Sequence, residues 1–161
     1  PDALKPTFVP FDEIIPRVLA GEFDTGLIIH EGQLTHQDQG LDAVLDLGRW
    51  WADTRGLPLP LGGNAVRRDL LDAGQGPTIA RVLLDSIQHA LDHREQAVDF
   101  ALRWARGMGP DLADRFVGMY VNELTLDYGP RGRDAITRLL HDAHEARLIP
   151  DPGEIDFLAP V

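Results

Sequence analysis

The sequence predicts an α/β fold with a helix-rich C-terminal half. Three observations point there. A strand–helix–strand pattern occupies residues 5–30. A polar, glycine-containing loop follows it at once. Amphipathic helical stripes then fill the stretch from residue 78 to residue 146.

The elements follow in order. Residues 5–9 (KPTFV) read as a short strand. Asp12 is placed to cap a helix in which Ile14, Ile15, Val18 and Leu19 recur at helical spacing, and Gly21 stops it. Residues 25–30 (TGLIIH) form a compact, isoleucine-rich apolar run, the pattern of a buried parallel strand. A strand, a crossover helix and a second strand imply a parallel pair with a right-handed connection. The polar run EGQLTHQDQG then falls at the carboxyl end of that strand, where open α/β sheets bind ligands. Residues 41–45 fit either strand or helix. Residues 47–54 predict a short helix, and the prolines of residues 57–61 (LPLPL) hold the backbone extended. Residues 64–68 (NAVRR) predict another strand.

The rest is helical. Residues 78–91 carry Ile79, Val82, Leu83, Ile87, Ala90 and Leu91 on one side. Residues 94–106 carry Ala97, Val98, Ala101, Leu102 and Ala105, and Gly107 and Gly109 end that helix. Asp111 is placed to cap the next, which bears Leu112, Phe116, Met119 and Tyr120. Residues 133–146 contribute Ile136, Leu139, Leu140 and Ala143. These stripes must pack internally or across a homodimer. The proline- and glycine-rich residues 57–63 mark the candidate boundary between parts.

Composition narrows the function. The chain has 161 residues, 43% of them hydrophobic, enough for a globular domain. Its formal charge of −11 opposes a nonspecific grip on nucleic acid or an anionic membrane. No run approaches the ~20 apolar residues of a membrane helix. Cysteine is absent, which removes disulfides, thiolate nucleophiles and cysteine-ligated metals and fits a cytoplasmic address. No basic stretch followed by an apolar run opens the sequence. Ser86 is the only serine and lacks a G-x-S-x-G turn, and Lys5 is the only lysine. Covalent catalysis therefore has few candidates, and acid–base work by histidine or carboxylate is the natural expectation. No dinucleotide fingerprint or phosphate-binding P-loop is present, so no nucleotide cofactor is expected.

His30 is the leading candidate. It closes an apolar strand beside a polar loop, and imidazole exchanges protons near neutrality. The competing reading is a buried histidine satisfied by backbone groups. Glu31 either orients that ring or binds substrate hydroxyls, or is a solvated carboxylate. Gln33, Thr35 and His36 add hydrogen-bonding groups to the same loop. The order H-E-x-x-x-x-H is not a helical zinc motif, and no metal is expected. The pairs His89/His93 and His141/His144 read as solvated helix faces. Asn64 and Arg67 follow a glycine pair, and a guanidinium there could hold a carboxylate of a small-molecule substrate, or simply balance an acidic surface. Of Trp50 and Trp51, which point apart, one belongs in the core.

Five stretches carry a resemblance: VPFDEIIP (9–16), GLIIHEGQLTH (26–36), LDLGRWW (45–51), GLPLPLGGNAVRRDL (56–70) and MYVNELTLDYG (119–129). In order and spacing they resemble the 1,4-dihydroxy-6-naphthoate synthase family of menaquinone biosynthesis. IIHEGQLTH is the most specific of them. The resemblance implies a periplasmic-binding-protein-like (type II) two-lobed fold. It also implies a lyase that converts cyclic dehypoxanthine futalosine to 1,4-dihydroxy-6-naphthoate without metal or organic cofactor. His30 matches the family's catalytic histidine, a general base. Family chains are longer at the N-terminus. Residues 1–60 would then belong to the second lobe and residues 61–161 return to the first, with substrate-carboxylate contacts in the part not present. The alternatives are a non-catalytic small-carboxylate-binding protein and a chorismate dehydratase of the same superfamily.

Overall fold

The computed structural model describes residues 5–104 and 109–159. The described residues form helices and connecting segments and contain no strand. This corrects the expected α/β, two-lobed periplasmic-binding-protein-like architecture, including the strands expected at residues 5–9, 25–30 and 64–68. The physical reason is visible at residues 25–30. A strand is defined by its ladder, and no ladder is formed among the described residues. The run instead lies on a helix. A Cβ at Gly26 would meet Ile14 Cγ2 at 2.5 Å and Val18 Cγ2 at 3.2 Å, so glycine permits the close approach. Leu27 and Ile29, expected inside a sheet, are 64% and 65% exposed.

Contacts divide the chain into two units, Pro1–Leu45 and Asp46–Val161. In the first, a 3₁₀ turn at Phe11–Glu13 leads into α1 (Ile14–Leu19). Asp12 does not cap this helix, because the turn after Pro10 provides its entry. Glu13 and Arg17 pair across one helical turn. Among the described residues of this unit, Ile15, on α1, is the buried apolar side chain. Gly21, at φ +73°, reverses the chain after the helix. Beyond residues 25–30, a single helical turn, α2 (Gly32–Thr35), carries the polar loop.

The second unit begins with α3 (Leu47–Arg55). The Asp46 carboxylate accepts the Arg49 N–H at 2.9 Å and caps the helix, and Gly56 ends it at φ +68°. Trp51 is the buried member of its pair, at 4% exposure, and its indole donates to the Pro58 carbonyl at 3.2 Å. Residues 64–67 are coil and lead into α4 (Arg68–Asp72). Then come α5 (Gly76–Asp92), α6 (Arg94–Leu102), α7 (Pro110–Tyr120), α8 (Glu123–Leu126) and α9 (Gly129–Glu145). Ala105, Arg106 and Gly107, expected at the end of α6, lie outside the described residues.

Helix α5 packs on α6 and α8, and α6 on α7. Val98 and Ala113 are buried in this group, and Arg94 grips both the side chain and the carbonyl of Asp114. Asp142 on α9 receives hydrogen bonds from Arg55 at 2.8 Å and Arg138 at 2.6 Å, which ties α3 to α9. Burial opposes ionisation of Asp142, but the two guanidinium hydrogen bonds outweigh it and hold the carboxyl below its usual value.

Candidate functional site

The loop of the first unit gathers four of the residues singled out from sequence: His30, Glu31, Gln33 and Thr35. Its geometry follows from one tight helical turn. Gln33 N–H donates to the His30 carbonyl at 3.0 Å and Leu34 N–H to that of Glu31 at 2.8 Å, folding the chain back at once after His30. This turn brings His36 under Gly32, whose carbonyl accepts the His36 N–H at 2.9 Å.

His30 is held on three sides. Its side chain is 13% exposed. The Phe11 ring lies 5.5 Å away, centroid to centroid, at 52°. Gly32 N–H donates to His30 Nδ1 at 3.0 Å. The Glu31 carboxylate stands 3.6 Å from the same nitrogen, too far for a hydrogen bond. His30 Nε2 is buried and has no hydrogen-bond partner among the described residues. An unpaired buried polar atom costs about 1–3 kcal/mol, so its presence in a folded loop marks a place where a ligand group can repay the cost.

His36 was only a minor candidate by sequence. The structure places it beside His30 in chemistry and environment. Its Nδ1 lies 3.2 Å from the Gly32 carbonyl and 3.1 Å from the Gln33 carbonyl. Its Nε2 is likewise buried and unpartnered among the described residues. The spacing H-x-G-x-x-x-H was the available signal: a glycine two residues after one histidine and four before another lets a single turn bring both rings onto one residue. Thr35 Oγ1 accepts from Gln39 Nε2 at 3.2 Å. No group of three or more histidine, aspartate or glutamate side chains among the described residues is arranged to hold a metal ion.

Asn64 and Arg67 belong to the second unit and are described there. Asn64 lines a cleft of about 340 Å³, together with Leu59, Gly63, Tyr120, Tyr128 and Ile136. Tyr128 Oη borders the glycine pair: a Cβ at Gly63 would lie 3.9 Å from it. The floor of the cleft is set by a capped turn in which Asn122 Oδ1 accepts the Leu124 N–H at 3.0 Å. Thr125 Oγ1 in turn accepts the Asn122 N–H at 3.1 Å. Arg67 is 80% exposed and makes two hydrogen bonds to Asp69, at 2.9 and 2.7 Å. Its guanidinium fork is thus occupied by a neighbour two residues away. Arg68 pairs with Asp156 at 2.8 Å, which raises the Arg68 pKa above its usual value. The His89 and His93 rings stack at 4.1 Å on α5 and its C-cap.

A family model described as menaquinone biosynthesis matches residues 2–145. A Thermus thermophilus protein named 1,4-dihydroxy-6-naphthoate synthase is 40% identical over 150 residues, covering 92% of this chain and 54% of its own length. A Streptomyces coelicolor protein of the same name is 40% identical over 145 residues, covering 90% and 51%. The crystal structure of an Archaeoglobus fulgidus protein superposes with a TM-score of 0.81 at 42% identity, over 88% of this chain and 53% of that one. The chain spans about half the length of these relatives.

Proposed function

We propose, from the premise that the chain belongs to the menaquinone biosynthesis family, that it carries the reacting loop of a lyase acting on cyclic dehypoxanthine futalosine. The product is 1,4-dihydroxy-6-naphthoate, the compound in the names of the relatives at 40% identity. The observation that supports this reading best is His30. It is enclosed by Phe11 and Gly32, and its Nε2 is buried with no partner among the described residues. An imidazole so placed contacts the substrate and takes part in moving a proton, work that contributes typically about 10²–10⁴-fold to a rate. Glu31, Gln33 and Thr35 border the same turn and contribute hydrogen bonds to the substrate. In the second unit, Asn64, on its cleft, and Arg67 are the candidates for polar contacts to a small-molecule substrate. For Arg67 this requires exchange of Asp69 for a substrate carboxylate. The reaction belongs to the cytoplasm, in keeping with a cysteine-free composition and with the lack, among the described residues, of a helix long and apolar enough to cross a membrane.

The test is turnover of cyclic dehypoxanthine futalosine. It is measured for the chain alone and for the chain joined to the part of the Thermus thermophilus relative that it does not span. Release of the naphthoate by the joined enzyme is expected, with a loss of about 10²–10⁴-fold in kcat for His30→Ala. No turnover by the joined wild-type enzyme would overturn the lyase reading. Full turnover by His30→Ala would remove His30 from the chemistry.

A further inference from the structure

The segment after α9 follows a fixed path. Arg147 N–H donates to the His144 carbonyl at 2.8 Å and Leu148 N–H to that of Ala143 at 2.9 Å. These two bonds close the helix in a Schellman turn. Arg147 takes the left-handed conformation there, φ +60°, where glycine is usual, so the reversal is held against its own cost. His144 Nδ1 donates to the Ile149 carbonyl at 3.3 Å. Pro150 and Pro152 then fix φ on either side of Asp151. The Asp151 carboxylate accepts the Gly153 N–H at 2.9 Å, and Gly153, φ +60°, turns the chain again.

Three successive residues of this segment then meet three different elements. The Asp156 carboxylate accepts from Arg68, the first residue of α4, at 2.8 Å. The Phe157 ring lies 5.5 Å from the guanidinium of Arg133 on α9. It also stands edge-on to Tyr128, the N-cap of α9, at 6.2 Å and 81°. Leu158 reaches the start of α5: a Cβ at Gly76 would meet its Cδ2 at 3.7 Å. Two of these contacts bracket one stretch of coil. Tyr128 Oη borders Gly63, and Arg68 ends the same coil, residues 63–67, at its other side. Gly62 and Gly63 leave that coil free to move, and no helix or ladder holds it. Asn64 and Arg67 both stand on it.

We infer that Asp156 and Phe157 are positioning residues, which pin the two ends of the coil 63–67 through Arg68 and Tyr128 and so hold Asn64 and Arg67 ready for a small-molecule ligand. The identity of that ligand rests on the lyase reading; the pinning does not. The two pins differ in strength. The Arg68–Asp156 pair is more than half exposed on both sides, so it is weak and screened by salt. Phe157 is half-buried between a cation and an aromatic edge, and salt leaves the aromatic contact intact. Phe157 is therefore the principal pin and Asp156 the lesser one. Without them the ligand itself has to order the coil. That cost weakens binding and leaves the chemical step alone.

The first test needs no turnover. In the ¹⁵N-labelled chain, Phe157→Ala is expected to move the amide signals of Gly63 and Asn64, and Asp156→Asn those of Arg67 and Arg68. The amide of Arg49, which Asp46 caps, stays in place in both and shows that the fold is retained. Glu154→Gln, an exposed change on the same segment, should move none of these signals. Asp156→Asn is isosteric and at the surface, so it remains informative if Phe157→Ala does not fold. Unmoved signals around the coil in a folded variant overturn the pinning. Kinetics of the joined enzyme give the second test. Phe157→Ala is expected to raise KM for cyclic dehypoxanthine futalosine about tenfold, with kcat within a few-fold. Phe157→Tyr keeps the ring and restores KM, whereas Phe157→Leu keeps apolar bulk alone and does not. Asp156→Asn raises KM less, and the rise should vanish at high salt, where the wild-type pair is itself screened. Wild-type KM in Phe157→Ala, equal rescue by leucine and tyrosine, or a fall in kcat at constant KM overturns the positioning role. If the wild-type joined enzyme does not turn over, the lyase reading falls, and the amide signals alone decide the pinning.

Discussion

A methyl group at position 32 would sit 2.6 Å from His30 Cε1 and 2.7 Å from Ile15 Cδ1, closer than real contacts allow. Glycine is required there by crowding. Its φ is ordinary, so backbone freedom is not the reason. Gly32→Ala should therefore push the His30 ring off its amide without removing any ionisable group. The expected result is a fall in kcat on the order of 10²-fold in the joined enzyme, since a shift of about 1 Å in a reacting group costs that much. The check is a kinetic comparison with Gly48→Ala, where the added methyl meets only the Asp46 carboxylate, at 3.3 Å. Wild-type kcat in Gly32→Ala would show that the ring position does not matter. At this scale the sequence was partly legible. His30, Glu31, Gln33 and Thr35 stand in one loop, as their spacing suggests. The pairing of His30 with His36 was not legible, because it depends on where the Gly32 amide and carbonyl point, and side-chain identity does not record that.

Two predictions belong to the elements. Asp46 caps α3 through its side chain, so Asp46→Ala should lower stability by about 0.5–2 kcal/mol, read as a shift in the denaturant midpoint with unchanged slope. Asp142 links α3 to α9, and its carboxyl is held below the usual range. A carboxyl with a depressed folded-state pKa contributes stability that is present above its unfolded value, about 3.8–3.9, and lost as pH falls through the folded value. Asp142→Asn should thus lower Tm at neutral pH, and the difference from wild type should shrink as the pH drops below about 4. A difference that persists undiminished at low pH would mean that packing, and not the ion pairs, holds these helices. Helices α3, α5, α7 and α9 were legible because their signals are local: apolar spacing, an Asp46 cap, a left-handed Gly56. The strands were not, because a strand needs a partner. TGLIIH has every strand propensity, yet it lies coiled against Ile14 and Val18. The short turns α2, α4 and α8 are illegible in the sequence for a different reason: four or five residues cannot show a helical period.

Over the whole molecule, the buried apolar side chains among the described residues are Ile15, Trp51, Val98, Ala113 and Ala135. Phe8, Leu27, Ile29, Val44, Trp104 and Leu148 are all more than half exposed. So little buried surface predicts a shallow urea transition, with a slope below that of a well-packed domain of similar length, and strong binding of a hydrophobic dye to the isolated chain. A steep two-state transition without dye binding would contradict the exposure seen here. Residues 57–61 bear on the same problem from another side. Pro58 and Pro60 have no N–H, and the Pro58 carbonyl is taken by the Trp51 indole. In an extended backbone alternate residues face the same way, so one flank of this segment lacks donors at two successive positions. A neighbouring chain cannot zip onto that flank. In a protein that leaves so much leucine and isoleucine at its surface, the two prolines act as gatekeepers against aggregation.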